Sequence, residues 1–424
     1  MKLSSAEKKI IETVNDLENE ICEFTCELVS HKSVLNNEAG VVQAMESRLE
    51  ALGFSPRRVA INPDTLAGHP GYAPVTWDYT DKDNVVAVVE PEKNTGKSLL
   101  FNGHLDVVSA DPVDFWDTNP YAPEIGNGWI IGRGAGDMKS GVAAMTYAAY
   151  AVQKAGFAFT APVTLEGVIE EECCGNGALA CVNAGYDADA VLIPEPFGPS
   201  IYTCQVGVLW FRVDIRGKSV HVLRAGKGAN SIEKAFPIIQ ALRNLEDEMN
   251  IENVPEQYRD FEHPINLNIG IINGGDWAST VPCSASFHAR LSYYPGTTYK
   301  DVCRRIEQTV QKAAENDPWL KENMPEVVFY GFRSDGHCVD RDKEAFNVLN
   351  DCHKAFTGKD AKEYISTCTT DLRAFHFFTD AQATCFGPRA ENIHGANERV
   401  EIESIMHTAR TYALFAARWC GITS

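Results

Sequence analysis

Three glutamates stand in a row, Glu170, Glu171 and Glu172, inside "VIEEECCGNGAL" (Val168 to Leu179), between an apolar run and a glycine-rich turn. Adjacent like charges at a strand end repel unless a cation sits among them or one carries a proton. Successive residues point in different directions, so one glutamate can bind a metal ion while its neighbour faces bound water. A solvated acidic strand end is the bland alternative. The apolar "VTLEGVI" before the run and "GNGALACVNAG" after it argue for burial.

Other segments carry the same chemistry. "NGHLDVV" places His104 and Asp106 two apart, so on a strand both side chains share a face. A histidine on a metal has its second ring nitrogen held by a carboxylate or carbonyl, a part open to Asp106; a hydrogen-bonded core pair has the same spacing. "GRGAGDMKSG" delivers Asp137 from a turn crowded with glycines, which let backbone approach closely, although a plain glycine turn capping a helix from Ser140 reads alike. "LIPEP" sets Glu195 between prolines that end a strand, and "GPRAENIHGANE" supplies His394 on a late glycine-containing loop. Mixed carboxylate and imidazole ligands suit zinc, cobalt and manganese.

The elements that position these residues follow from hydrophobic patterning. "NVVAVVE", "SLLFNGH", "VTLEGVIEE" and "DAVLIPE" are short, nearly continuous β-rich runs, as expected for strands buried on both faces. The Ala-rich "SGVAAMTYAAYAVQKAG" between the second and third reads as a helix ended by Gly156. This alternation predicts an α/β domain with a mostly parallel sheet, whose C-terminal strand ends carry the chemistry. Ile10, Val14, Leu17, Ile21, Phe24 and Leu28 predict one amphipathic first helix, and Asn62 to Asn84 a long surface loop. From about Val206 the order becomes β-α-β-β-α-β, the split βαβ arrangement, with Ile232, Phe236, Ile239 and Leu242 on one helix face. The expected division is a catalytic domain over 1–205 and 334–424 with an inserted α+β domain over 206–333. A helix from about Lys343 to Gly358 and another from near Glu401 complete the catalytic part.

With 424 residues there is room for two or three domains and a buried site. A net charge of -20 gives no general attraction for nucleic acid or anionic lipid. The opening residues lack a signal-peptide core, and no apolar run approaches the roughly 20 residues of a membrane span. Thirteen cysteines without CxxC pairing read as reduced thiols in a cytoplasmic protein rather than a disulfide framework. The absence of a GxGxxG fingerprint removes a dinucleotide-dependent oxidoreductase.

Taken in order, "GHLDVV", "GRGAGDMKSG", "EEECCGNGAL", "IPEP", "GKSVHVLRAGKGANSI", "INGGDWASTVP", "TTDLRAF" and "IHGANE" resemble the M20 family of dinuclear metal amidohydrolases and peptidases, over nearly the whole chain. The resemblance implies two divalent metal ions per subunit, zinc first, with manganese, cobalt or single occupancy as alternatives. His104 and Glu195 would hold one ion, Glu172 and His394 the other, and Asp137 would bridge them. Asp106 would orient His104 and Glu171 would be the general base. The inserted domain matches the family's lid and dimerisation domain, from which His221 would reach the active site of a partner subunit in a homodimer. Asn230 and Arg373 match positions near the substrate's carboxylate or the reacting carbonyl, although an ion pair would equally explain Arg373.

The implied reaction is hydrolysis of the amide C–N bond of a small N-acyl amino acid or related carboxylate. Alternatives are dipeptide cleavage, removal of an amine from an aromatic ring with Phe115 and Trp116 lining the pocket, and a non-catalytic descendant. Departures include Glu170 where the family often has Asp, "VHVL" around His221, and Ala225 after Arg224 where proline is common. His288, Arg290, Trp277, Tyr293 and Tyr294 are expected to pack the lid, and Cys173 and Cys174 to pack beside the site as neutral thiols.

Overall fold

The computed structural model describes residues 3–424. Its central sheet has six strands, in spatial order Pro56–Ala60, Asp83–Val89, Val163–Val168, Leu99–His104, Ala190–Ile193 and Gln382–Cys385. The last four run parallel, and the first two are an antiparallel edge. Leu99–His104, Val163–Val168 and Ala190–Ile193 are buried along their whole length, as parallel strands covered by helices must be. Helix Ser140–Lys154 packs beside the closing helix Ile402–Trp419, whose Tyr412 stacks on Phe101 with ring centroids 5.0 Å apart. Gly141 lets the first turn of Ser140–Lys154 sit against Pro194: a Cβ there would lie 2.4 Å from the Pro194 carbonyl oxygen.

A second sheet of four antiparallel strands, ordered Leu267–Gly274, Ser284–Tyr293, Gly207–Arg216 and Glu326–Ser334, carries helices Ser231–Ile251 and Tyr299–Glu315. Phe211, Val213, Leu242, Phe287, Leu291 and Ile306 belong to a hydrophobic core separate from that of the main sheet. The chain enters and leaves this unit through a small sheet in which Ser200–Gln205 pairs with His337–Cys338 and Lys362–Ser366. The fold is thus an α/β domain with an inserted α+β unit.

Several local expectations are corrected. The first helix is two, Ser5–Asp16 and Glu18–Ser30; Leu17 leaves the helical ladder and its N–H turns to the Val14 carbonyl, while the buried stripe continues across the joint. Within Asn62 to Asn84, Pro63–Leu66 is helical, and Trp77, Tyr79 and Lys82 turn inward to Glu170 rather than lying on the surface. On Ser231–Ile251 the buried face is Ala235, Ile238, Leu242, Leu245 and Met249, and Phe236 is 59% exposed. Both sets have helical spacing, and only the position of the sheet selects between them. Trp277 is exposed rather than packed in the lid. Cys204 and Cys338 face each other across an antiparallel pair and form a disulfide, leaving eleven free cysteines. Their sequence separation of 134 hid the pairing. Among the described residues no helix is long and apolar enough to cross a membrane.

Candidate metal centre

His104 ends its strand at the carboxyl edge of the sheet. Its Nδ1 faces the backbone carbonyl of Asp106 at 3.0 Å, and its Nε2 lies 3.1 Å from Asp137 Oδ1. Asp106 therefore touches the ring through its carbonyl. Its carboxylate, 3.7 Å from Nδ1, accepts the backbone N–H groups of Glu171 at 3.2 Å and Glu172 at 3.1 Å. The turn after strand Val163–Val168 is thereby tied to the turn after Leu99–His104.

The three adjacent glutamates have three different environments. Glu170 is fully buried, with its oxygens taken by Trp77 Nε1 at 2.6 Å, Lys82 Nζ at 3.1 Å, Tyr79 Oη at 2.8 Å and Cys174 Sγ at 3.0 Å. Glu172 reaches His394, whose Nε2 lies 3.1 Å from Glu172 Oε1 and 3.4 Å from Asp137 Oδ2. Glu171 is buried between them, and its Oε1 has no hydrogen-bond partner among the described residues. Of the three adjacent charges, one thus meets a lysine, one a histidine, and one has an oxygen with no partner.

Asp137 consequently presents one oxygen to each imidazole. One donor atom each from His104, Asp137 and Glu172 lie within 4.8 Å of one another, as ligands of one small site do. Glu195 is buried just beyond strand Ala190–Ile193, where the charges of Asp137 and His104 act on it. Burial first, then neighbouring carboxylates against the pull of His104, raise the Glu171 and Glu195 carboxyls well above the ordinary range. Burial disfavours the His104 cation, yet Asp137, Asp106 and Glu171 together raise that imidazole well above its ordinary value. Glu172, then Asp137, do the same for His394. Asp137 goes the other way: against burial, His104 and His394 hold its carboxyl well below the ordinary range, so the acids of this pocket outnumber the two imidazoles that could balance them. Divalent cations of borderline softness fit that mixed carboxylate and imidazole donor set.

The second acidic and thiol cluster, Glu170 with Cys173 and Cys174, already contains the Lys82 ammonium. Burial pushes both thiols up, to about 11 for Cys174, so they pack as neutral groups.

The remaining expected residues lie further out. Arg373 is buried with its guanidinium 4.6 Å from the Phe332 ring centroid and 3.7 Å from Asp371 Oδ1, and both Nη atoms lack hydrogen-bond partners. It nests on Gly175, where a Cβ would lie 1.5 Å from Nη2, and it lines a cavity of about 250 Å³ with Arg333, Tyr299 and Phe378. Asn230 caps helix Ser231–Ile251, its Oδ1 accepting from Ile232 N and Glu233 N. His221 is exposed on the inserted unit, where its Nδ1 accepts from Leu223 N, and within this chain it makes no contact with the carboxylate cluster. Phe115 is exposed, whereas Trp116 is buried with its Nε1–H on the Ala110 carbonyl, so the two do not share a pocket wall.

Sequence reasoning passed over Asp371 and Glu398, although "TTDLRAF" and "IHGANE" contain them. Asp371 is buried with both oxygens unpartnered; burial, partly offset by Arg373 and His104, pushes its carboxyl up to about 6. Glu398 is buried behind Asp137 and accepts its N–H. An acid inside an otherwise apolar or glycine-rich motif was the available signal.

Comparison with known proteins identifies the family. Over 366 residues, 81% of this chain and 84% of the relative, the sequence is 28% identical to N-formyl-4-amino-5-aminomethyl-2-methylpyrimidine deformylase of Halalkalibacterium halodurans. Succinyl-diaminopimelate desuccinylase of Cupriavidus pinatubonensis is 27% identical over 396 residues, 90% of this chain and 94% of that one. Among solved structures, the dipeptidase Dug1p of Saccharomyces cerevisiae matches 99% of both chains with a TM-score of 0.83 at 16% identity, a likeness of fold. A Bacillus subtilis protein described as a dinuclear metal binding peptidase matches with a TM-score of 0.60 at 13% identity, over 96% of this chain and 99% of its own. The model of peptidase family M20/M25/M40 matches residues 100–418, and the chain belongs to that family.

Proposed function

We propose that this protein is a metal-dependent amidohydrolase that cleaves the C–N bond of a small N-acyl amino acid or related N-acyl amine. The observation that carries the reading is Asp137, with His104 on one oxygen and His394 on the other, while the buried Glu171, whose Oε1 has no partner, acts on the same His104. His104 and Glu195 would hold one ion and Glu172 and His394 a second, with Asp137 available to both; zinc is the first candidate, manganese and cobalt the others. When bound, two such ions acidify a water and polarise a carbonyl oxygen.

The chain's own groups supply the rest. Asp106 fixes the backbone of Glu171 and Glu172 through two N–H bonds. Glu171 takes the attacking water's proton and returns it to the leaving nitrogen. Arg373, with its planar fork free, receives a substrate carboxylate. The acyl-amine substrates named for the deformylase and desuccinylase relatives support a deacylase over a dipeptidase.

The proposed domain limits are 1–205 and 334–424 around an inserted 206–333. Support comes from the inserted unit's own sheet and core. A homodimer through that unit is part of the proposal. Phe236, Ile271, Ile272 and Leu223 are exposed on it, and Leu267–Gly274 is an edge strand. His221 and Asn230 would serve the partner's site from there. Eleven unpaired cysteines support a reducing, cytoplasmic setting.

The test is to strip the protein of metal, reload it with zinc, cobalt or manganese, and assay each form on N-acyl amino acids, N-formyl amines, dipeptides and aminobenzoates. Metal-dependent release of a free amine from an N-acyl substrate is expected. Turnover that survives complete metal removal would sink the proposal.

A further inference from the structure

We infer that the buried pair Arg133 and Glu398 positions Asp137 and His394 relative to one another, and so sets the spacing on which the second metal position depends. The inference rests on the metal-centre reading proposed above. Neither residue touches the space between the ligands; both act through backbone.

Glu398 Oε1 accepts the N–H of Gly136 at 2.9 Å and of Asp137 at 3.0 Å, while Oε2 accepts from Arg133 Nη1. The other arm of Arg133, Nη2, donates to the carbonyls of His394 at 3.2 Å, Gly395 at 3.1 Å and Ser109 at 3.3 Å. The Gly132 N–H closes the loop on the Glu398 carbonyl at 3.0 Å. The guanidinium is sealed by the Trp116 indole, 5.2 Å away, and both side chains are almost wholly buried. One ion pair therefore grips, on either side, the two segments that carry Asp137 and His394.

A second observation points the same way. His394 has φ 62°, in the left-handed region. Residues with a side chain adopt that conformation at a cost, histidine more readily than most, so local bonds must hold it. The imposed contacts are those of Arg133 to its carbonyl and to that of Gly395. The Nε2 to Asp137 Oδ2 separation of 3.4 Å is the result. A carboxylate whose backbone is free to rotate cannot keep one oxygen on each of two imidazoles. An ion pair with only a stabilising task has no reason to end its bonds on both ligand segments.

The experiment compares wild type with Glu398→Gln, Arg133→Lys and the double variant Arg133→Met/Glu398→Gln. Glu398→Gln keeps an oxygen for the two N–H groups but loses the charge. The double variant leaves no unpaired buried charge and so avoids the penalty of removing one partner alone. Metal-free protein is titrated with Co(II) and followed by visible absorption, and its thermal unfolding is recorded separately. Wild type is expected to bind two ions, and the double variant to bind the weaker one about 10–100-fold less tightly; its metal-free form is expected to unfold earlier, because the carbonyls of Ser109, His394 and Gly395 lose their donor. Arg133→Lys, which keeps charge without the fork, is expected to fall between them. A double variant with the wild-type Co(II) isotherm would overturn the inference alone. A wild type that takes up no Co(II) would overturn the metal-centre reading and the inference with it.

Discussion

The carboxylate of Asp106 accepts the backbone N–H of Glu172 at 3.1 Å, and its other oxygen accepts that of Glu171 at 3.2 Å. One acid thus fixes the direction of the proposed base and of a proposed ligand. Asp106→Ala leaves two N–H groups buried without partners, at a cost of about 1–3 kcal/mol each. Displacement of the turn is expected to lower kcat about 100-fold. Asp106→Asn, which keeps one acceptor, should lie between. Denaturant unfolding and steady-state kinetics on the three proteins check the order; an Asp106→Ala enzyme with unchanged kcat contradicts it.

Glu171→Gln replaces a carboxylate whose Oε1 is unpartnered by an amide of the same shape. Turnover is expected to drop at least 100–10,000-fold, as for loss of a general base, at roughly unchanged metal content. Metal analysis beside kinetics separates this from loss of a ligand. Metal lost together with activity would move the base to another group.

Glu166 lies buried on strand Val163–Val168, where Asn102 donates to its Oε2 at 3.0 Å and Oε1 has no partner. Burial, only partly offset by Asn102, pushes its carboxyl up to about 8, against 4.5 for an ordinary glutamate. The folded chain therefore keeps this proton over a range where the unfolded chain loses it. The associated stability is complete below the ordinary value and is lost as pH rises through the folded one. The slope is at most about 1.4 kcal/mol per pH unit in that window. Urea midpoints of metal-free protein should fall from about pH 5 to about pH 8, and fall less in Glu166→Gln. Parallel pH profiles for both proteins would exclude the effect.

Arg373 stacks on Phe332 and presents two unpartnered Nη atoms. Arg373→Lys keeps the charge but not the fork, so KM for a carboxylate-bearing substrate is expected to rise about tenfold, or about 1.4 kcal/mol, near the low end of what a charged hydrogen bond contributes. An N-acyl amine without a carboxylate should be unaffected. Equal effects on both substrates would make Arg373 a structural partner of Asp371.

Cys204 and Cys338 are joined, and eleven cysteines are free. Alkylation of denatured protein without reductant should therefore add eleven labels, and thirteen after reduction. Thirteen labels in both samples would show that the pair is open in solution.

Much of the site could be read from local order. His104, Asp137, Glu172, Glu195 and His394 all stand at strand ends or glycine-rich loops, because a buried strand must stop before the chain can expose a polar group, and that stop leaves a mark in the sequence. The parallel sheet was legible for the same reason: fully buried strands are unbroken apolar runs. Contacts made by neighbours in space rather than in sequence left no such mark. Glu170, Glu171 and Glu172 are chemically identical, and only the arrival of Lys82 at the first, the lack of a partner for Oε1 of the second and the approach of His394 to the third give them different surroundings. Glu398 could be marked as an acid within its motif, but its partner could not: Arg133 stands 265 residues away. The buried face of Ser231–Ile251 and the Cys204–Cys338 bond likewise depended on which surface came opposite. Residue type and spacing determined the donors and the elements that hold them. Tertiary packing decided which donors meet, because charge, burial and hydrogen bonding act over a few ångströms and are indifferent to distance along the chain.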